Sequence, residues 1–217
     1  MKKYIIVPAL ILSFVSLPAF AGAESPLLGK IIALDAGHGN GETGAVGYCD
    51  GVAVMEADVN LSVRALLKAK IDAVGGLGYE VAQESSRSDR VQDAENAGSD
   101  ALISIHHNGS TNTSANYTQS FVTQRNDKEF AQFIHPKIVS ALSLNDKGIK
   151  NDGYGMTVYG SLAGVLTESF FVTNTSEACD FLNGKAHVEA EAQAMYEGLV
   201  AYFSQTGGGG NGKGKNK

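Results

Sequence analysis

Apolar residues in this 217-residue chain fall into blocks of two kinds. Short runs, Ile31 to Leu34, Ala101 to Ile105 and Gly164 to Phe171, read as buried strands. Longer segments carry apolar residues at helical spacing. From about Met55 to Val74 these are Val59, Val63, Leu66, Leu67, Ile71 and Val74, and Gly75, Gly76 and Gly78 end the run. From about Lys185 to Phe203 they are Val188, Ala192, Met195, Leu199 and Tyr202. A third helix over Asn126 to Leu142 contains Pro136, which is expected to kink or split it. Weaker signals predict strands at Tyr79 to Gln83, Gln119 to Gln124 and Met156 to Tyr159, and a short helix around Arg90 to Ala97. Asn174 and Glu177 have the spacing of a capping box. Asn40 to Gly51 reads as a long glycine-rich loop and Asn145 to Gly155 as a turn-rich connection. Strands alternating with helices predict a single α/β domain, a mostly parallel twisted sheet with helices on both faces.

The ends differ in character from this core. Lys2 and Lys3 precede an apolar run from Tyr4 to Leu17, and Pro18-Ala19-Phe20-Ala21 closes it with small residues at the signal-peptidase spacing. Residues 1–21 are therefore expected to be a cleaved Sec-type signal, with Ala23 the alternative cut, and the product to be secreted or periplasmic without a stable membrane anchor. The folded domain is expected over residues 30–204. Residues 205–217, only glycine, asparagine and lysine from Gly207 on, are expected to form a flexible tail.

Charge and cysteine usage narrow the partners. Loss of Lys2 and Lys3 takes the formal net charge from −6 to −8. An acidic protein lacks the basic footprint that nucleic acid requires. With two cysteines, Cys49 and Cys179, there is no disulfide framework and no thiolate zinc cluster. A bridge and two separate thiols both remain open. The oligomeric state is not fixed by the sequence; a monomer is the working expectation.

Chemistry concentrates at strand ends. His38, between Gly37 and Gly39, follows the first buried strand; His106 ends the second; Glu168 interrupts the third; Glu56 opens the helix after the first. In a parallel sheet these ends share one edge, where ligands bind. Two imidazoles and a carboxylate make a three-donor zinc set with an open fourth position. A second carboxylate could take a proton from water, whose pKa zinc lowers to about 7. For Glu56 the competing explanation is capping of a helix N-terminus. For Glu168 it is a salt bridge to Arg87 or Arg90, since an unpaired buried carboxylate is costly.

Four segments in order, Leu34-Asp35-Ala36-Gly37-His38-Gly39, Glu56-Ala57-Asp58-Val59-Asn60-Leu61, Ser104-Ile105-His106-His107-Asn108 and Leu166-Thr167-Glu168-Ser169-Phe170-Phe171-Val172-Thr173-Asn174, resemble the signatures of the zinc-dependent N-acetylmuramoyl-L-alanine amidases. The likeness spans about Ile31 to Phe203. It implies a six-stranded sheet, one Zn2+ per chain held by His38, Glu56 and His106, and Glu168 as the catalytic carboxylate. It implies peptidoglycan as substrate and, as the bond cut, the amide between the lactyl group of N-acetylmuramic acid and L-alanine of the stem peptide. It also places the loops of Cys49 and Cys179 near one cleft edge, where a bridge between them is one outcome.

The chain departs from the family pattern in places. His-Ala-Asn is the usual third signature, where this chain has His106-His107-Asn108. Adjacent strand residues face opposite ways, so only one histidine should reach the metal. By motif position that is His106, leaving His107 as a surface residue or, alternatively, a substrate contact. Arg87 and Arg90 are expected at a solvated helix end, and His135 and His187 on the surface. No helix plugging the site is expected between Ala115 and Gly164. A zinc peptidase or deacetylase acting on the wall could use the same metal set, and a non-catalytic wall-binding module is the competing non-enzymatic reading.

Overall fold

The computed structural model describes residues 24–84, 86–151 and 155–207. The expected signal peptide and the tail beyond Gly207 lie outside these residues. In chain order the elements begin with β1 (Ile31–Ala36), the hairpin strands β2 (Val46–Cys49) and β3 (Val52–Met55), α1 (Glu56–Asp72), β4 (Leu77–Glu80) and α2 (Arg87–Asn96). They continue with β5 (Ala101–Asn108), β6 (Thr118–Val122), α3 (Arg125–Leu142), β7 (Asp146–Asn151) and a 3₁₀ turn, Gly155–Val158. The last are β8 (Ala163–Phe171), α4 (Thr175–Asn183) and α5 (Ala186–Gly207).

The main sheet has the order β4-β1-β5-β8-β6-β7. β4, β1, β5 and β8 run parallel; β6 is antiparallel to β8, and β7 is parallel to β6. The three strands read as buried runs are the central ones, β1, β5 and β8, covered on both faces. Alternation assigns the faces. Ile32, Leu34, Ile103, Ile105 and Val165 join the large core under α1, α3 and α5, whereas Ala33 and Leu102 pack with Val91 and Ala94 of α2. Val59, Val63, Leu67 and Ile71 lie on one line of α1 and are fully buried. Each contributes about 1.5–3 kcal/mol by leaving water.

Four elements differ from the sequence expectations, each for a physical reason. The Asn40–Gly51 loop contains β2 and continues into a hairpin whose turn, Asp50-Gly51, has φ of 49° and 81°. That is the Asp-Gly signature of a two-residue hairpin turn. β7 lies within the supposed turn-rich connection; its sequence DKGIKN is polar because it is an exposed edge strand, where charge blocks further pairing. Met156 to Tyr159 is not a strand but falls largely in the 3₁₀ turn. α3 runs unbroken through Pro136, since burial of Phe130, Ile134, Ile138 and Leu142 outweighs one lost backbone bond. In addition, α5 carries residues 205–207 of the expected tail. Asn174 caps α4 by accepting from the Ser176 amide, while Glu177 turns away to Asn116 and His187 instead of completing a capping box. Cys49 and Cys179 are joined in a disulfide that ties the hairpin to α4. Among the described residues no helix is long and apolar enough to cross a membrane.

Candidate metal centre

The parallel strands β1 and β5 end side by side, and the chain leaves β1 through residues in left-handed conformation. His38 has φ of 62°, Gly39 85°, Asn40 50° and Gly41 92°. A left-handed histidine is uncommon and needs its surroundings to hold it. Arg90 supplies much of that hold. Its guanidinium donates to the carbonyls of Ala36 (3.0 Å) and His38 (2.7 Å), and its Nε donates to the Glu84 carbonyl (2.6 Å). It also pairs with Asp35 at 2.8 Å, and Asp35 accepts from Ser104 at 2.7 Å. Arg90 is thus buried inside the turn, correcting its expected place at a solvated helix end; the missed signal was Asp35, a carboxylate inside an apolar strand.

Glu56 opens α1, but capping does not explain it. The first amides of the helix donate to loop carbonyls, Glu56 to Ala45 and Ala57 to Thr43. The carboxylate instead points at the histidines. Its Oε1 lies 3.0 Å from His106 Nδ1 and 3.2 Å from His38 Nε2, and accepts from the His107 amide at 3.1 Å. Its Oε2 accepts from the Ala45 amide at 2.9 Å. One donor atom from each of His38, Glu56 and His106 lies within 4.8 Å of the others. Burial opposes ionisation of Glu56, but the bonds to His106 and His38 outweigh it and hold the carboxyl well below the usual range. The same bond to Glu56 raises His38, against the opposing effect of its own burial. One anionic oxygen facing two ring nitrogens is the donor set a divalent cation such as zinc takes.

Glu168 sits on β8 directly beside His106 in the strand register. It is buried, and its Oε2 has no hydrogen-bond partner among the described residues. Burial first, then the negative charges of Glu56 and Glu191, push its carboxyl well above the usual value. Among the described residues Arg90 pairs instead with Asp35, and Arg87 lines the same cleft. All four residues singled out in the sequence line one open cleft of about 810 Å³, together with Arg87 and Met156.

Three histidines are placed otherwise than expected. His107 is buried on the opposite side of β5, between Asn60 and Glu191. His135 is buried between Ser120 and Asp146. His187 is half-buried against Glu177. Each sits on a face that packs against another element and supplies polar partners, which the apolar pattern of its own element does not reveal.

A family model described as N-acetylmuramoyl-L-alanine amidase matches residues 32–201. The chain belongs to the N-acetylmuramoyl-L-alanine amidase family. Among curated relatives, the N-acetylmuramoyl-L-alanine amidase LytC of Bacillus subtilis is 30% identical over 187 residues, 83% of this chain and 37% of LytC. YqiI of the same organism is 32% identical, covering 85% of this chain and 90% of that protein. The probable cell wall amidase LytH of Staphylococcus saprophyticus is 28% identical over 83% of this chain and 60% of LytH. The chain thus spans well under half of LytC. The amidase fold is also found in solved structures. The catalytic domain of the amidase CwlV from Bacillus (Paenibacillus) polymyxa superposes with a TM-score of 0.72 at 24% identity, covering 81% of this chain and 98% of that one. An amidase from Clostridium difficile 630 gives 0.72 at 24%, covering 81% and 97%.

Proposed function

We propose that this chain is an exported, zinc-dependent peptidoglycan amidase that cuts the amide between the lactyl group of N-acetylmuramic acid and L-alanine of the stem peptide. The carrying observation is the convergence of His38, Glu56 and His106 within 4.8 Å, beside a buried carboxyl with an unpaired oxygen in the same cleft. Family membership supports the reaction, and the disulfide supports an oxidising compartment.

The donor set fits zinc: two imidazoles and one ionised carboxylate, with side-chain and backbone bonds that orient them. When bound, zinc supplies Lewis acidity, polarising an amide carbonyl and acidifying water. The chain's own residues do the rest. Glu56 stays ionised and, through its bond to the Ala45 amide, keeps one oxygen turned to both rings. Glu168 takes a proton from water and returns it to the departing amine of L-alanine. Its raised affinity for protons suits the first half of that exchange, and Oε2, without a partner among the described residues, is available to make it. The open cleft admits a polymeric substrate, and no activator is needed on this reading.

Mass spectrometry of digested muropeptides tests the proposal. Purified wild type with zinc is expected to release stem peptides starting at L-alanine. His38→Ala should lose both zinc and activity, while Glu168→Gln should keep zinc and lose about 10²–10⁴-fold in turnover. Shortened or deacetylated products would point to a peptidase or deacetylase, and sacculus binding without turnover to a wall-binding module. Either result overturns the proposal, and so does full activity in Glu168→Gln.

A further inference from the structure

Behind the candidate metal centre lies a chain of buried polar groups that the proposed reaction does not use. His107 is 1% exposed and Glu191 0%. The His107 Nε2 lies 2.9 Å from Glu191 Oε2, and the other oxygen of Glu191 accepts from Ser169 Oγ at 2.5 Å. On its other side the His107 Nδ1 lies 2.7 Å from Asn60 Oδ1, and Asn60 Nδ2 donates to the Gly37 carbonyl at 2.9 Å. Because the Asn60 amide group already donates to Gly37, its oxygen faces the ring, so His107 Nδ1 carries a proton.

All members but Glu191 lie next to a cleft residue in the sequence or one helical turn from it. Gly37 precedes His38, Asn60 lies one helical turn after Glu56, His107 follows His106, and Ser169 follows Glu168. Strand alternation turns His106 and Glu168 to the cleft and their neighbours His107 and Ser169 to the packed layer beneath. There α5 presents Glu191 to both. Stability does not account for such a network, since apolar side chains of similar volume would pack the same layer at least as well. Asn60 ends the network on the peptide before His38, and the backbone amide beside the His107 ring donates to the Glu56 carboxylate.

We propose that His107, Asn60 and Glu191 are positioning residues, a buried Asn60–His107–Glu191 relay that fixes the three zinc donors from behind. The inference rests on the zinc reading above. The relay locks the peptide at Gly37 and the start of α1 to the end of β5, so that the donors meet at a common point before the ion arrives. Loss of such outer partners typically lowers metal affinity by about 10–100-fold.

Zinc affinity, measured by chelator competition on folded protein, tests it. His107→Ala and Asn60→Ala are expected to bind zinc about 10–100-fold more weakly than wild type. Glu191→Gln keeps a hydrogen-bonding group at the same place and should recover most of the affinity that Glu191→Ala loses. His135→Ala is the control. It breaks a buried histidine network of the same kind at the far edge of the sheet, Ser120–His135–Asp146, and should lower the melting temperature without moving zinc affinity. If His107→Ala does not fold, Asn60→Ala and Glu191→Ala, with Glu191→Gln as the rescue, carry the comparison. Wild-type protein that binds no zinc overturns the zinc reading, and the relay with it. Wild type that binds zinc, with His107→Ala, Asn60→Ala and Glu191→Ala variants that bind as tightly or no more weakly than His135→Ala, overturns the relay alone.

Discussion

Gly37→Ala isolates the metal centre from the rest of the fold. A Cβ built on Gly37 would stand 2.2 Å from both Cε1 and Nε2 of the His106 ring and 2.6 Å from Cδ2. Ordinary contact begins near 3.4 Å, so the two must separate by about 1.2 Å. The backbone at 37 has little room to yield. Its amide donates to the Ile105 carbonyl at 2.9 Å and its carbonyl accepts from Asn60 at 2.9 Å. The ring must move instead, and Nδ1 leaves its 3.0 Å contact with Glu56. Metal–donor distances tolerate only about 0.2 Å, so His106 is lost as a donor. Gly37 is not in a left-handed conformation, so alanine adds no backbone strain. The fold should survive with a loss of about 1–3 kcal/mol from overpacking. Zinc affinity should fall at least about 100-fold, the upper end of what loss of an outer partner costs. Equilibrium dialysis with metal analysis, beside a urea melt, reads both quantities. A folded Gly37→Ala protein that binds zinc within about threefold of wild type would refute the reasoning.

Arg90→Met removes the cation from a pair whose partner, Asp35, is almost fully buried; the expected loss is about 3–5 kcal/mol by urea denaturation, and a loss below about 1 kcal/mol would contradict the assigned geometry. The hydrogen bond to Glu177 raises His187 above its ordinary 6.5, against the effect of burial. Its contribution to stability is therefore fully present below about 6.5 and is lost as pH rises through the raised folded value. The stability difference between wild type and His187→Gln should shrink as pH rises from about 6 through the raised folded value, and a difference that grows instead would show the sign to be wrong. Replacing Cys49 and Cys179 by serine opens a covalent loop of 130 residues, for which chain entropy predicts a loss of about 4–5 kcal/mol. An unchanged melting temperature would mean that the hairpin is held by packing alone.

The sequence discloses the elements whose own pattern carries the information. β1, β5 and β8 are apolar on both faces because they are covered on both faces, and α1 shows its buried line at positions 59, 63, 67 and 71. The gathering of His38, Glu56, His106 and Glu168 at one edge follows from parallel topology. β7 escapes notice because an exposed edge strand is selected for polarity, which resembles a loop. The hairpin is overlooked although Asp50-Gly51 announces its turn, since the surrounding glycines suggest irregular chain. Arg90, His107 and His135 are misjudged for a common reason. Whether a polar residue is buried depends on what the facing element offers, and Asp35, Glu191 and Asp146 lie 55, 84 and 11 positions away.

The lowest layer of the metal centre belongs to the final helix. Ribosomal synthesis delivers His38, Glu56, His106 and Glu168 before Glu191 exists. Until α5 swings into place, His107 and Ser169 lack the carboxylate that both of them bond. On the reading proposed above, a nascent chain holds the proposed zinc donors yet lacks the keel beneath them, and maturation of the centre waits on the carboxyl end. On that reading, deleting α5 amounts to removing part of the centre itself.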